Sequence, residues 1–155
     1  VLKSVLCCKY AYVRVPVEFK EAGICNLGFG DIESRDLCTA LCGCQEAYIL
    51  GVTIGIKADM LIKRLEIASP AEAFITDALA SAAAESLCEL ADDTLRGVGK
   101  KPIRFSPGYG DLPLSVQPAV LAVLNADYTL GIALSPSFLM TPMKSVTAIM
   151  GILPN

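Results

Sequence analysis

Residues 104–113 run Arg104-Phe105-Ser106-Pro107-Gly108-Tyr109-Gly110-Asp111-Leu112-Pro113, and the interpretation of the rest of the chain depends on this stretch. Gly108 and Gly110 let the backbone approach a ligand closely or take a positive φ. Pro107 and Pro113 stiffen the segment and favour extended conformations in the residues before them. Because it combines a cation, an aromatic ring and a carboxylate with turn-forming residues, the segment is interpreted as a binding loop rather than a plain linker.

The length and hydropathy of the chain indicate a soluble protein with a large core. The 155 residues are expected to form a single domain, 1–155. The hydrophobic fraction of 54% is high, yet no uncharged apolar run reaches the roughly 18 residues that a membrane span needs. We therefore expect no membrane segment, and an apolar surface that is used for association.

The charge and the histidine content of the chain exclude several classes of function. The net charge is −3 and the basic residues are scattered, which argues against nucleic acid as a partner. The chain has no histidine, so the usual general base, the Ser-His and Cys-His arrangements and the commonest metal ligand are all missing.

The cysteines are expected to be reduced. Their number, seven, is odd and no secretory signal is visible, as in a cytosolic protein. Cys38, Cys42 and Cys44 form the one cluster that a metal or redox centre could use. Their spacing fits neither common zinc pattern, and no second cysteine pair completes a site. Structural thiols are the favoured interpretation, and no metal site is predicted.

The strongest helix signal lies between residues 69 and 97. Ser69, Pro70 and Glu72 form a capping-box start. An alanine-rich pattern then continues to Arg96, where Gly97 is predicted to stop the helix. Such a helix is about 40 Å long. Its small side chains let a sheet or another helix pack closely against it.

The remaining pattern predicts strands over residues 5–15, 47–54, 128–134 and 145–152, helices over 35–41, 57–67 and 116–124, and a loop over 18–32. This order does not repeat as regular βαβ units. An α+β domain is therefore favoured over a doubly wound sheet.

A polar stripe on the long helix has two interpretations. Asp77, Ser81 and Glu85 are spaced four residues apart and share one face. The stripe is either a solvated edge, which is favoured, or it places the Glu85 carboxylate towards a ligand. Arg104 is the candidate cation for Glu85 if the loop folds back along the helix, which the spacing alone does not decide.

Two segments together resemble a known family. Arg104-x-x-Pro107-Gly108-Tyr109-x-x-x-Pro113 is followed by Ser135, Ser137 and Pro142-x-Lys144-Ser145-Val146. This combination resembles the activation (reactivation) domain of cobalamin-dependent methionine synthase, in its short stand-alone bacterial form. The run 41–55 and the alanine-rich helix that carries Glu85 fit as well, so the resemblance covers residues 37–152.

The resemblance implies a fold and a function. The expected fold is a helmet-like α+β domain with a central antiparallel sheet and the long alanine-rich helix. The implied role is a cytoplasmic accessory component of the methyltransferase. It binds S-adenosylmethionine and supports reductive methylation of cobalamin carried by a partner methionine synthase subunit, with a flavodoxin-like electron donor.

The resemblance also implies the S-adenosylmethionine site, with no catalytic side chain because the chemistry belongs to the cobalt. The cofactor-binding residues are then Arg104, Ser106, Pro107, Gly108, Tyr109 and Glu85. Arg104 suits the ligand carboxylate because a guanidinium offers paired donors. Glu85 suits the ammonium group or the positive sulfur, and the backbone of Gly108 and Tyr109 suits the adenine and ribose.

The chain departs from the family at three places, one of which is the N-terminal part, where no clear match is found to the aspartate that the full-length domain uses near its start. The full-length family loop continues Pro-x-Cys-Pro-acidic after the tyrosine, whereas this chain continues Gly110-Asp111-Leu112-Pro113. The aromatic positions of the closing strand fall on Ile149, Met150 and Gly151. An alternative function follows: a non-catalytic partner of a corrinoid protein that has kept the fold and lost S-adenosylmethionine binding.

Overall fold

A computed structural model describes residues 1–21, 23–96 and 104–153. The described strands are β1 (Lys9–Pro16), β2 (Glu18–Phe19), β3 (Ile24–Asn26), β4 (Asp31–Glu33), β5 (Glu46–Thr53), β6 (Arg104–Phe105), β7 (Ala133–Leu134), β8 (Met140–Thr141) and β9 (Ser145–Ile152). The described α-helices are α1 (Arg35–Ala40), α2 (Ile56–Ala68), α3 (Pro70–Arg96), α4 (Gln117–Leu124) and α5 (Ala126–Thr129). Strands β1, β5, β9 and β6 form the central sheet in that order, and every neighbouring pair is antiparallel.

Both faces of the central sheet are buried. Successive side chains of a strand point to opposite faces. On one face, Leu50 of β5 and its register partner Ala148 of β9 pack beneath α3. On the other face, Ile49 and Ile149 are register partners in the main core, together with side chains from α1 and α4. Because β5 and β9 are covered on both sides, they are apolar almost throughout, and the predictions for residues 47–54 and 145–152 are confirmed.

Helix α3 forms the layer over one sheet face, as its composition predicts. It begins at Pro70 and ends at Arg96, while Gly97 lies outside the described residues. The Ser69 carbonyl oxygen accepts the first hydrogen bond of the helix, from the Ala73 N–H at 3.0 Å. The apolar residues buried along its length recur every three to seven positions: Ala73, Ala80, Ala84, Cys88 and Ala91. The small alanines of this row allow the close approach of helix and sheet.

Helix α3 is the longest of the described helices. Helix α3 has 27 residues, but it carries Glu72, Asp77, Glu85 and Glu89. Within residues 1–21, 23–96 and 104–153, no helix is both long enough and apolar enough to cross a membrane.

The prediction of a loop over residues 18–32 is wrong. Strands β2, β3 and β4 form a small antiparallel sheet there, in which the register partners Cys25 and Ile32 are buried. Gly23 and Gly28 take φ values of 90° and 82°, so these glycines form tight turns between strands. The strands have only two or three residues each, which is too short to produce a readable period of two.

The prediction of a strand over residues 128–134 is also wrong. Asn125 ends α4 in a left-handed conformation, and α5 follows immediately. The Thr129 hydroxyl donates to the Asn125 carbonyl, and the Ile132 N–H donates to Ala126, so the chain stays coiled up to Ile132. Only β7 remains extended. The β-prone residues Tyr128 and Thr129 are overridden by this local turn and by burial of their neighbours.

Smaller corrections concern element boundaries. The first strand begins at Lys9 rather than at residue 5, because residues 2–4 form a 3-10 turn. The helix predicted over 116–124 begins at Gln117, after a second 3-10 turn over Leu114–Val116. Helices α1 and α2 match the predictions for 35–41 and 57–67 to within one residue at each end.

Candidate functional site

A groove with a volume of about 640 Å³ lies beside the outer edge of β9. Strand β6 pairs with β9 only at Ile149 and Met150. Beyond that pair, Pro107 and Gly108 turn the chain away, with φ of 90° at Gly108. Residues 145–148 of β9 therefore border the groove without a further strand neighbour in the described part of the chain. The other walls come from α3, residues 104–109 and residues 138–143.

Five of the six residues predicted for the site line this groove: Glu85, Arg104, Ser106, Pro107 and Tyr109. Gly108 instead forms the turn of the loop, and a Cβ at this position would sit 3.4 Å from the Leu114 side chain. The Gly108 N–H donates to the Leu112 carbonyl at 2.9 Å, and the Tyr109 N–H donates to the Ser106 carbonyl at 3.0 Å. The two backbone donors expected to face adenine and ribose are thus used inside the loop.

Arg104 and Glu85 meet at one end of the groove. The Arg104 Nη2 lies 3.6 Å from the Glu85 Oε2, so the loop does fold back along the helix. The Arg104 Nη1 is buried and has no hydrogen-bond partner among the described residues. A guanidinium stays charged at any relevant pH, and leaving a buried charged donor unpaired is costly. The site therefore holds a positive donor suited to an anionic ligand group.

Cys88 lies beside this guanidinium. Burial raises the pKa of the Cys88 thiol, and the positive charge of Arg104 opposes this effect without reversing it. The thiol consequently stays protonated near neutral pH, so it does not neutralise Arg104 as a thiolate would.

The polar stripe on α3 is exposed to solvent, as a solvated edge would be, and it also makes specific contacts. The Lys144 Nζ lies 2.7 Å from the Asp77 Oδ1 and 2.9 Å from the Ser81 Oγ, and the Lys144 side chain is 13% exposed. The Met143 N–H next to it donates to the buried Asp59 carboxylate at 2.6 Å. These bonds hold the segment just before β9, which forms one wall of the groove, against helices α2 and α3. Glu85 is the stripe residue that faces the groove.

The floor of the groove includes a residue that was not predicted from the sequence. Gln117, at the start of α4, lines the groove and is 2% exposed. Its Nε2 donates to the Thr147 Oγ1 of β9 at 2.8 Å. A polar residue at the start of an apolar helix is interpreted from sequence as solvent-facing, so nothing in the pattern distinguishes this one. Two of the positions at which the family has aromatic residues hold Ile149 and Met150 in this chain. Both side chains are fully buried, so they do not contribute a surface to the groove in place of Gln117.

Asp111, at the departure from the family loop, anchors the loop to α1. Its carboxylate accepts from the Ser34 hydroxyl and from the backbone N–H groups of Arg35 and Asp36 at 2.8 and 3.2 Å. Its own N–H donates to the Asp36 carboxylate at 3.1 Å. Gly110 is required beside it, because its φ is 53° and a Cβ there would collide with Asp36. An acidic group at a helix N-terminus is also favoured by the helix dipole.

We expect Asp111→Ala to lower the melting temperature at pH 7 and to lose this effect in acid. The Ser34 hydroxyl, followed by the N–H groups of Arg35 and Asp36, lowers the pKa of Asp111. A depressed folded-state pKa contributes stability above the unfolded value of about 4, and this contribution disappears as the pH falls through the folded pKa.

Thermal unfolding of wild type and variant between pH 7 and pH 2 measures this effect. Asp93→Ala, which removes an exposed carboxylate from α3, is the matched control. A difference between wild type and Asp111→Ala that persists unchanged at the lowest pH would contradict the assignment.

The cysteine cluster is spread over different environments. Cys38 is half-buried, Cys42 is exposed and Cys44 is buried. Cys38 contacts Cys25, where burial raises the pKa of the thiol to about 12. In the part of the chain that the structure describes, no group of three or more His, Cys, Asp or Glu side chains could hold a metal ion.

Comparison with known proteins identifies the fold. No family model and no curated protein matches this sequence. The crystal structure of the MetH reactivation domain bound to AdoHcy is similar to 99% of this chain, with a TM-score of 0.79 and 16% sequence identity. This chain spans 61% of the length of that one. The similarity confirms the predicted α+β fold with its central antiparallel sheet and long helix.

Proposed function

We propose that this chain is a reactivation subunit that binds S-adenosylmethionine (AdoMet) and supports reductive methylation of cobalamin on a partner methionine synthase. The observation that carries the proposal is the buried Arg104 Nη1 in the groove, near Glu85, which has no hydrogen-bond partner among the residues that the structure describes. The fold supports it, because the similar MetH domain is bound to AdoHcy. Residues 1–155 are proposed to act as one cytoplasmic domain.

The charges of the groove suit the amino-acid end of AdoMet. The ligand carboxylate would accept paired hydrogen bonds from the Arg104 guanidinium. The Glu85 carboxylate is 59% exposed, so beside its contact with Arg104 it would attract the ammonium group or the sulfonium sulfur. Ser106, Pro107 and Tyr109 would then lie along the nucleoside part of the ligand, with Gly108 shaping their turn.

The chain's contribution is to bind and orient the methyl donor. AdoMet supplies a methyl group activated by its positive sulfur, and the acceptor in this proposal is cobalamin held by the partner subunit. A flavodoxin-like protein is proposed as the electron donor. Tyr109, Leu139 and Met143 border the groove and are each more than half exposed, so the rim offers apolar surface for the docking of that partner.

Calorimetric titration with AdoMet and with S-adenosylhomocysteine (AdoHcy) tests the binding step. Saturable binding of one ligand per chain is expected for both compounds. A second assay adds the protein to a methionine synthase that lacks its own reactivation domain, and follows the corrinoid spectrum in the presence of reduced flavodoxin and AdoMet. Absence of binding at millimolar ligand would overturn the proposal, and retained docking to the corrinoid protein would then identify a non-catalytic partner.

A further inference from the structure

Strand β1 lies at one edge of the central sheet. In the order β1-β5-β9-β6 it pairs with β5 on one side, and its outer side has no strand neighbour among the described residues. It runs over eight residues, Lys9–Pro16, which is about 26 Å at roughly 3.3 Å per residue. A long unpaired edge is a template for a further strand. The backbone groups along this edge therefore indicate what it can bind.

The backbone N–H and C=O groups of β1 alternate between its two sides. Just after the strand, the Val17 N–H donates to the Gln45 carbonyl at 2.9 Å, on the side of β5. In an antiparallel pair every second residue bonds to the same neighbour, and the register with β5 is continuous, so the odd-numbered residues of β1 face β5. Tyr10, Tyr12 and Arg14 consequently direct their N–H and C=O groups outward. Within the described part of the chain, no backbone hydrogen bond outside the strand pairs involves these three residues.

Strand β1 has few of the features that protect an edge strand from pairing, such as bulges, prolines and rows of charge. Its register with β5 contains no bulge. Pro16 is the last residue of the strand, so every residue before it keeps its N–H group. Lys9 and Arg14 are its only charged residues. Tyr10 and Tyr12 are 43% and 49% exposed, so pairing along this edge would also bury apolar surface.

The edge of β1 is complementary to a second copy of itself. Two-fold symmetry makes two β1 strands antiparallel, and each hydrogen-bonded position then needs an outward-facing residue from both strands. With the axis at Tyr12, the three outward residues face only one another: Tyr12 faces Tyr12 of the second copy, and Arg14 faces Tyr10 of the second copy. A guanidinium is attracted to an aromatic ring at this range. An axis at Arg14 would instead place two like charges directly opposite each other, which is destabilising.

We propose that the chain forms a two-fold symmetric dimer in which β1 pairs antiparallel with β1 of a second copy, with Tyr12 on the axis. The two four-stranded sheets then join into one sheet of eight strands. The groove lies beside β9 and β6, away from β1, so this interface leaves it open. The dimer therefore does not depend on the proposed function. An interface based on one pair of eight-residue strands is smaller than a standard protein interface, so the dimer dissociates on dilution.

Sedimentation equilibrium of the full chain over a series of concentrations is the first test, with a reductant present to keep the exposed cysteines from cross-linking. The average mass is expected to rise from that of one chain, 16.4 kDa, towards that of two. Tyr12→Lys places two lysines opposite each other on the axis and is expected to weaken the dimer about tenfold or more, and Tyr12→Glu does the same with two carboxylates. An equal mixture of the two variants pairs lysine with glutamate and is expected to restore the dimer. Tyr128→Lys, at an exposed position in α5, is the matched control and should leave the dimer unchanged.

Amide hydrogen exchange of the wild type tests the same register without any substitution, and it decides the matter even if a variant does not fold. The N–H groups of Tyr10, Tyr12 and Arg14 are expected to exchange slowly at high protein concentration and fast on dilution. Those of Ala11 and Val13, which face β5, should stay protected at both. Exchange at Tyr10, Tyr12 and Arg14 that does not depend on concentration would overturn the inference. So would a chain that stays monomeric throughout the series, a dimer that Tyr12→Lys leaves unchanged, or folded charge variants that remain monomeric when mixed.

Discussion

Arg104→Ala is expected to weaken AdoMet binding by about 1.5–3 kcal/mol, a factor of about 10 to 150, the usual size of a lost charged hydrogen bond. The guanidinium lies in the groove with a buried donor that has no partner among the described residues. A bound carboxylate would satisfy this donor, and alanine offers nothing in its place. Calorimetric titration at a fixed salt concentration measures the change, because salt screens charged contacts.

Two further arginine variants show whether the loss of affinity depends on the guanidinium group and on its position. Arg104→Lys keeps the charge but loses the planar fork, so its affinity should fall between those of wild type and Arg104→Ala. Arg14→Ala removes a cation from β1, at the opposite edge of the sheet, where Arg14 pairs with Glu46. It should bind AdoMet as the wild type does. Unchanged affinity in a correctly folded Arg104→Ala protein would exclude the carboxylate role of Arg104.

Ile149→Ala is expected to lower the free energy of unfolding by about 2–5 kcal/mol, the range for a large apolar side chain removed from a packed core. Ile149 is fully buried in β9, opposite Ile49 of β5 and next to Phe105 of β6. Backbone hydrogen bonds hold the surrounding strands in place. The strands therefore cannot fully close the cavity that the truncated side chain leaves. Equilibrium unfolding in urea measures the effect through the transition midpoint.

Ile152→Ala is the matched control for this prediction. Ile152 ends the same strand and is only partly buried, so its truncation removes less buried surface and should cost clearly less. A similar loss at both positions would show that strand propensity, rather than the core between β5 and β6, determines the cost.

Several elements could be predicted from local sequence because their signals are local. The start of α3 at Pro70, the Ser34 cap of α1 and the closing strand β9 all follow from residues that are neighbours in the chain. The predictions failed where elements were very short. Strands of two or three residues between glycines have no measurable period, and the turn after Asn125 overrode the strand propensity of Tyr128.

The residues of the candidate site also fall into those that the sequence predicted and those that it did not. The family resemblance implied that Arg104, Tyr109 and Glu85 bind one ligand, and the structure places all three around one groove. Asp111 was interpreted only as a departure from the family pattern, although it fixes the loop onto α1. Gln117 was missed altogether. Its partner Thr147 lies 30 residues away, and no local pattern encodes such a pair.

The sequence by itself determined helices α1 to α4, the two long central strands β5 and β9, and the loop that carries the cation. These depend on periodicity, capping and turn chemistry over a few residues. Only the tertiary structure decided which polar groups meet: Lys144 with Asp77, Asp111 with the start of α1, and Gln117 with Thr147. The physical reason is that these bonds reach only about 3 Å, so the packing of distant elements chooses the partners, and burial makes such a partner necessary at Gln117 and Thr147.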